Sequence, residues 1–317
     1  MTLNLKGLVA APHTPFHEDG SLAPEQVAPQ AQWLARSGVV GAFISGTTGE
    51  WCSMTTQERT VLFEAWAQCD TKVTRIAHVG HNCQADAIEL ASQAGKLGLD
   101  AISAVAPSFL KPGSPKAVAD FFAPIAAAGG GLPFYVYHIP GLSGVNVPAH
   151  EQVEACAQCV PHFAGLKFTD PDLFAYARCM QRYADRFEFM WGVDEILLAA
   201  LPYGAQSAVG STYNYAAPIY NNMLAAYHTG DTLRARQEAA RSVALVDLLL
   251  EFGVMQAGKA LMTLRGIECG PTRLPVPPLS QARREALFER VNEAGLLDEV
   301  PDPQSAAKRS VQPTPVN

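Results

Sequence analysis

Lys167 closes the run Phe163-Ala164-Gly165-Leu166-Lys167-Phe168-Thr169, an apolar stretch of the kind that forms a buried strand. Most lysines occupy solvated helix faces, and of the eight in this chain Lys167 alone ends such a run. Partial burial favours the neutral amine, and a neutral amine adds to carbonyls. The iminium so formed is an electron sink. It stabilises the carbanion left when a carbon–carbon bond β to it breaks, which is the central requirement of aldolase chemistry. A structural salt bridge is the alternative use of a lysine at this place.

Other chemistry-bearing groups also follow apolar runs. In Ser45-Gly46-Thr47-Thr48-Gly49-Glu50 a pair of hydroxyls lies between glycines. Backbone amides and the side chains of Thr47 and Thr48 could converge there on a carboxylate or phosphate, although a tight βα turn uses the same residues. The lysine and spacing of a P-loop are missing. In Tyr135-Val136-Tyr137-His138-Ile139-Pro140 the two tyrosines share a strand face. A phenol at the end of a strand could relay protons or orient a keto acid, and core packing with a satisfied hydroxyl is the plainer reading. Trp191-Gly192-Val193-Asp194-Glu195 sets two adjacent carboxylates before a helix, where they could bind the hydroxyls of a polyol or cap that helix. Gly210-Ser211-Thr212-Tyr213-Asn214 is a further hydroxyl-rich loop.

Two metal or redox readings are weaker. His78-Val79-Gly80-His81 could pair histidines on a metal, but no carboxylate lies within the motif and ordinary polar packing is expected. Cys156 and Cys159 form a lone C-x-x-C in a segment that reads as helix, so packing rather than redox or zinc chemistry is expected. No metal site is expected.

The elements that must position these groups follow from patterning. Short apolar runs alternate with longer amphipathic stretches, the pattern of repeated βα units, and eight strands are expected at 7–11, 39–45, 73–79, 101–106, 133–138, 163–167, 188–191 and 205–209. The runs are apolar on both faces, as in a parallel sheet covered inside and out. Pro24 opens one intervening helix, Thr55-Thr56-Gln57-Glu58 offers a capping box for another, and Gly38 and Gly98 stand where helices should stop. The expected fold is an α/β (β/α)8 TIM barrel over residues 5–215, with a small C-terminal helical extension over 216–298 (helices at 216–227, 232–252, 256–264 and 280–293) and a flexible tail at 301–317. In such a barrel chemistry belongs at the C-terminal ends of the strands, where the groups above lie.

Composition limits the partners. The 317 residues are 48% hydrophobic with a formal net charge of -7, and no basic block offers a sequence-independent grip on nucleic acid. No apolar run approaches a membrane span and the start lacks a signal-peptide layout, so a cytoplasmic location is expected. Seven scattered cysteines fit reduced thiols.

Taken together, Gly-Thr-Thr-Gly-Glu at 46–50, Tyr-His-Ile-Pro at 137–140, Leu-Lys-Phe-Thr at 166–169, Gly-Val-Asp-Glu at 192–195 and Gly-Ser-Thr-Tyr-Asn-Tyr at 210–215 resemble the pyruvate-dependent aldolase family that contains dihydrodipicolinate synthase and N-acetylneuraminate lyase. The likeness spans about residues 5–280 and is nearest the N-acetylneuraminate lyase branch, particularly its animal form. It implies that Lys167 forms a Schiff base with pyruvate and Tyr137 moves the proton, while Thr47 and Thr48 hold the keto-acid carboxylate. Thr169, Gly192, Asp194, Glu195 and Ser211 would line the pocket for the polyhydroxylated chain, and two carboxylates suit a neutral polyol. The implied reaction is reversible cleavage of a 2-keto sugar acid, sialic acid, to N-acetylmannosamine and pyruvate, by a homotetramer with no metal or cofactor. A Schiff-base lyase or synthase for another 2-keto sugar acid, a metal-dependent aldolase and a non-catalytic binding protein are the competing readings. Dihydrodipicolinate synthases carry an arginine after the Tyr-x-x-Pro block, where this chain reads Gly141-Leu142-Ser143-Gly144, which disfavours that activity. In Ala106-Pro107-Ser108-Phe109-Leu110, the rim position where many relatives place a tyrosine that crosses to a neighbouring subunit has Phe109 nearby and no phenol, so an intersubunit proton relay is not expected.

Overall fold

The computed structural model describes residues 2–298 and 300; the expected tail at 301–317 lies outside the described residues. Eight strands, β1 (Gly7–Ala10), β2 (Gly41–Ile44), β3 (Thr74–His78), β4 (Ala101–Val105), β5 (Phe134–His138), β6 (Phe163–Phe168), β7 (Glu188–Trp191) and β8 (Ser207–Gly210), close into a parallel barrel in chain order. β8 pairs back onto β1 along Gly7–Ala10, so the sheet has no open edge. Among the described residues twelve helices surround and extend it: α1 (Val27–Arg36), α2 (Thr56–Ala67), α3 (Gln84–Lys96), α4 (Pro115–Ala128), α5 (Pro140–Ser143), α6 (Ala149–Cys159), α7 (Leu173–Tyr183), α8 (Leu197–Ala200), α9 (Tyr213–His228), α10 (Thr232–Phe252), α11 (Val254–Thr263) and α12 (Gln281–Glu293).

The two-faced apolar runs resolve into two cores. Each strand sends a residue into the barrel, from Val9 and Phe43 through Tyr135 and Ala164 to Val209, and these form one buried cluster. Outward residues such as Leu8, Ile102, Val136 and Leu166 join the helices in a second, larger cluster. Strands buried on both faces therefore need no polar alternation.

Local signals act as expected in α2, where the Thr55 side chain accepts from Glu58 N while the Glu58 carboxylate accepts from Thr55 N. Pro24 opens a 3-10 turn, Pro24–Gln26, that leads into α1. Cys156 and Cys159 both lie in α6; Cys156 is buried, which pushes its thiol up to about 12, and Cys159 is exposed. One boundary differs from expectation. The helix expected to begin at 216 begins at Tyr213 and is broken at Ala216 (φ -127°, ψ 24°). Pro218 lies two residues on, and a proline ring clashes with the carbonyl four residues earlier, here that of Asn214, so the first turn cannot continue straight.

β6 holds an irregularity that the linear pattern conceals. Phe134 pairs with Phe163 but Tyr135 pairs with Gly165, so Ala164 is an extra residue in β6. The bulge changes the parity of the strand. Ala164 faces inward and Leu166 and Phe168 face outward, yet Lys167, three residues after Ala164, also faces inward, with Nζ over the rings of Phe43 and Tyr137. Gly165 makes this possible. Its φ is +147° and a Cβ there would strike the carbonyl of Glu188 on β7.

Candidate active site

The C-terminal ends of the strands open into a cavity of about 490 Å3 that is lined by all nine residues expected at the site: Lys167, Tyr137, Thr47, Thr48, Thr169, Gly192, Asp194, Glu195 and Ser211. A larger groove, of about 710 Å3, lies at the opposite end of β2 and β3 and gathers no comparable set of groups.

Lys167 is 4% exposed. Its ammonium lies 3.8 Å from the ring centroid of Tyr137 and 4.1 Å from that of Phe43. Among the described residues it takes part in no ion pair, so the structural salt bridge considered for this lysine is not what holds it. Two aromatic faces pack the nitrogen, and the side chain lines the cavity.

The Tyr137 hydroxyl lies 3.1 Å from Thr47 Oγ1, which ties the end of β5 to the turn after β2. Tyr135 shares its strand face and not its destination: its hydroxyl donates to Glu188 at 2.7 Å and accepts from Leu3 N at 3.0 Å, at the far end of the barrel. Burial beside Glu188 pushes that phenol up.

The opposite wall is acidic and hydroxylated. Asp194 opens the 3-10 turn Asp194–Ile196 and is 6% exposed. Its Oδ2 accepts from Thr212 N at 2.9 Å and Thr212 Oγ1 at 2.6 Å, while burial raises its pKa to about 6 in spite of those bonds. Glu195 beside it is half-buried. Two glycines permit the arrangement through their size. A Cβ on Gly210 would collide with the Asp194 carboxylate, and one on Gly192 with Thr169 Oγ1. Thr169 Oγ1 is buried with no hydrogen-bond partner among the described residues, a donor and acceptor that a ligand could use.

Several residues that shape the site were not singled out in the sequence. Val246, Leu249 and Leu250 of α10 and Val254 and Met255 of α11 form an apolar wall of the cavity; they lie in amphipathic helices, where such residues read as ordinary core. Arg59 is fully buried and braces the turn after β2: Nε donates to Ser45 Oγ at 3.0 Å, Nη1 to Gly80 O at 2.9 Å and Nη2 to His78 O. Burial without a carboxylate lowers it to about 9. The one sequence signal that could have been used was Gly165, since a lone glycine inside an apolar strand marks a bulge.

The histidine pair is separated by its surroundings. His78 is fully buried, with Nδ1 2.8 Å from Ser45 O and Nε2 accepting from Val105 N at 3.3 Å, and burial beside Arg59 holds it well below the usual imidazole range. Both ring nitrogens are thus committed to the backbone. His81 instead gathers with Cys83 and Asp86 on the rim, ligand atoms within 4.8 Å of one another; its Nδ1 accepts from Cys83 N at 3.0 Å and lies 3.3 Å from Asp86 Oδ2. None of the three lines the cavity. After the Tyr-x-x-Pro block, at α5, Gly141 and Leu142 line the cavity, and among the described residues no arginine does.

The whole arrangement has known counterparts. The dihydrodipicolinate synthetase family profile matches residues 4–294. N-acetylneuraminate lyase of Pongo abelii is 41% identical over 288 residues, 89% of this chain and 89% of that protein. Among solved structures, Proteus mirabilis N-acetylneuraminate lyase superposes with a TM-score of 0.90 at 35% identity, covering 92% of this chain and 99% of its own. N-acetylneuraminate lyase (sialic acid aldolase) from Aliivibrio salmonicida does so with a TM-score of 0.90 at 39% identity, covering 93% and 98%. By profile, by identity and by superposition, the chain belongs to the dihydrodipicolinate synthetase family.

Proposed function

We propose that this chain is an N-acetylneuraminate lyase, a class I aldolase that reversibly cleaves sialic acid to N-acetylmannosamine and pyruvate. The observation that carries the reading is the buried Lys167 amine stacked on Tyr137, without an ion pair among the described residues, in a cavity that Asp194 and Glu195 also line.

The amine adds to C2 of the open-chain keto acid and the carbinolamine loses water to give an iminium. Thr47 and Thr48 hold the adjoining carboxylate, which places C2 against Nζ. Tyr137, acting with that carboxylate, removes the proton of the C4 hydroxyl. The C3–C4 bond breaks as the C4 oxygen becomes the aldehyde of N-acetylmannosamine, and the bonding pair moves into the iminium to form an enamine. Protonation at C3 and addition of water release pyruvate and the free lysine. Asp194, Glu195, Ser211 and Thr169 accept from and donate to the sugar hydroxyls, and Gly192 leaves the room they need.

The α5 segment favours this branch, because Leu142 contributes an apolar edge where a second substrate carboxylate would need a cation. We further propose a homotetramer in the cytoplasm. The exposed apolar pair Phe109–Leu110 supports association, and seven free cysteines suit a reducing compartment. The deciding experiment is reduction with borohydride in the presence of pyruvate. A stable pyruvyl adduct on Lys167 is expected, together with pyruvate release from N-acetylneuraminate in preference to 2-keto-3-deoxy sugar acids. A folded protein that gains no adduct would sink the reading.

A further inference from the structure

The 45–50 turn contains two non-glycine residues in the left-handed region, Ser45 and Glu50, each at φ 56°. L-residues rest there only where the surroundings hold them, and such positions gather at functional sites. Ser45 is held by Arg59 of α2 on its hydroxyl and by His78 at the end of β3 on its carbonyl. Gly49 is held by Thr14, whose Oγ1 donates to its carbonyl at 2.6 Å.

Glu50 is held from the far end of the chain. Lys259 of α11 brings Nζ to 2.8 Å from its Oε1, and the backbone N of Arg273 donates to its Oε2 at 2.9 Å. Both members of the ion pair are buried, with side chains 2% and 4% exposed. Lys259 donates its aligned hydrogen bond to Pro271 O at 2.8 Å and lies over the Phe16 ring. Burial lowers its pKa, against the pull of Glu50. A buried ion pair of this kind adds little stability over an apolar pair of like volume, and losing one member alone is costly. Its value is therefore in what it orients. Met255, four residues before Lys259, lines the cavity, as do Thr47 and Thr48 of the turn that Lys259 grips through Glu50.

We propose that Lys259 is a positioning residue for the keto-acid carboxylate: through Glu50 it holds the 45–50 turn in the left-handed form that aims Thr47 and Thr48 at the substrate. The inference rests on the assignment of those threonines to the carboxylate. Displacing a binding group by an ångström weakens its grip without touching the amine that reacts.

The test measures half-saturating pyruvate for borohydride trapping at Lys167, and steady-state KM and kcat for pyruvate in the condensation direction, in Lys259→Met and in Glu50→Gln/Lys259→Met. Half-saturation and KM are expected to rise about tenfold in both, with the trapped fraction at saturation unchanged and kcat within about threefold of the parent. Lys259→Met should also lose thermal stability because it leaves Glu50 unpaired, and the double variant should recover stability without recovering pyruvate affinity. That split separates positioning from plain structural support. Should Lys259→Met fail to fold, the double variant carries the test alone. A change in half-saturation below about threefold in the folded double variant overturns the proposal, as does failure of that variant to fold. Absence of trapping in the parent would instead remove the Schiff-base reading on which the proposal stands.

Discussion

Asp194 is a carboxyl that the fold makes reluctant to ionise, and this sets a pH limit on the site. Burial raises it from 3.8 to about 6, with the two Thr212 hydrogen bonds opposing and Glu195 adding to the rise. Between those values the folded protein keeps a proton that the unfolded chain releases, so this group's contribution to stability falls as pH rises through the window. The shift corresponds to about 3 kcal/mol at neutral pH. Both Thr212 bonds end on Oδ2, so an amide oxygen at that position retains them. Asp194→Asn is therefore expected to be more stable than the parent above pH 6 by up to about 3 kcal/mol, with the gain gone by pH 4. It should also cleave the sugar acid about tenfold to a hundredfold less efficiently through loss of a charged acceptor, and lose the acidic limb near pH 6 from its kcat/KM profile. Urea melts across pH and the rate profile check both. At this scale the sequence was most informative where one residue type is rarely found without a use. A lysine at the end of an apolar strand and a Gly-Val-Asp-Glu block were visible as such. Lys259 and Arg59 were not, because each has its meaning only through a partner, Glu50 or Ser45, brought close by the fold.

Among the elements, β6 shows where a linear pattern stops being informative. The strand's position was legible from its apolar run, and so was the strand count, since βα units repeat at a regular spacing. The inward aim of Lys167 was not. Strict alternation from Ala164 would have turned the lysine out to the helices, and the extra residue corrects that. Gly165→Ala is accordingly expected to cost about 3 kcal/mol or more, because the new methyl group meets the Glu188 carbonyl and φ +147° excludes it. Denaturant midpoints measure the loss, and any folded fraction should trap pyruvate poorly. The first turn of α9, at 213–215, is not legible for a different reason: it overlaps the hydroxyl-rich run at 210–214, which reads as loop, and the break at Ala216 sets it off from the rest of the helix.

For the molecule as a whole, closure of the barrel follows from burial of strands on both faces, and the alternation of apolar and amphipathic runs makes it legible. The apolar wall of the cavity did not announce itself, because α10 and α11 reach the barrel mouth only after the chain has completed the circuit. Outside the cavity, Phe109 and Leu110 stand 87% and 83% exposed on the loop after β4. Exposed pairs of this size favour contact with another surface. If the proposed tetramer forms, Phe109→Ser/Leu110→Ser is expected to shift it toward smaller species in sedimentation velocity; a parent that sediments as a monomer would refute the assembly. Closure also bears on anyone who would move this chemistry to another protein. A barrel has no free edge along which a strand can slip, so an odd residue must be absorbed inside the strand that carries it. Grafting the lysine alone onto a regular barrel strand would deliver the amine to the helix layer or to the wrong height in the lumen. The transplantable unit is the lysine together with its bulge and the glycine that lets the neighbouring strand pass.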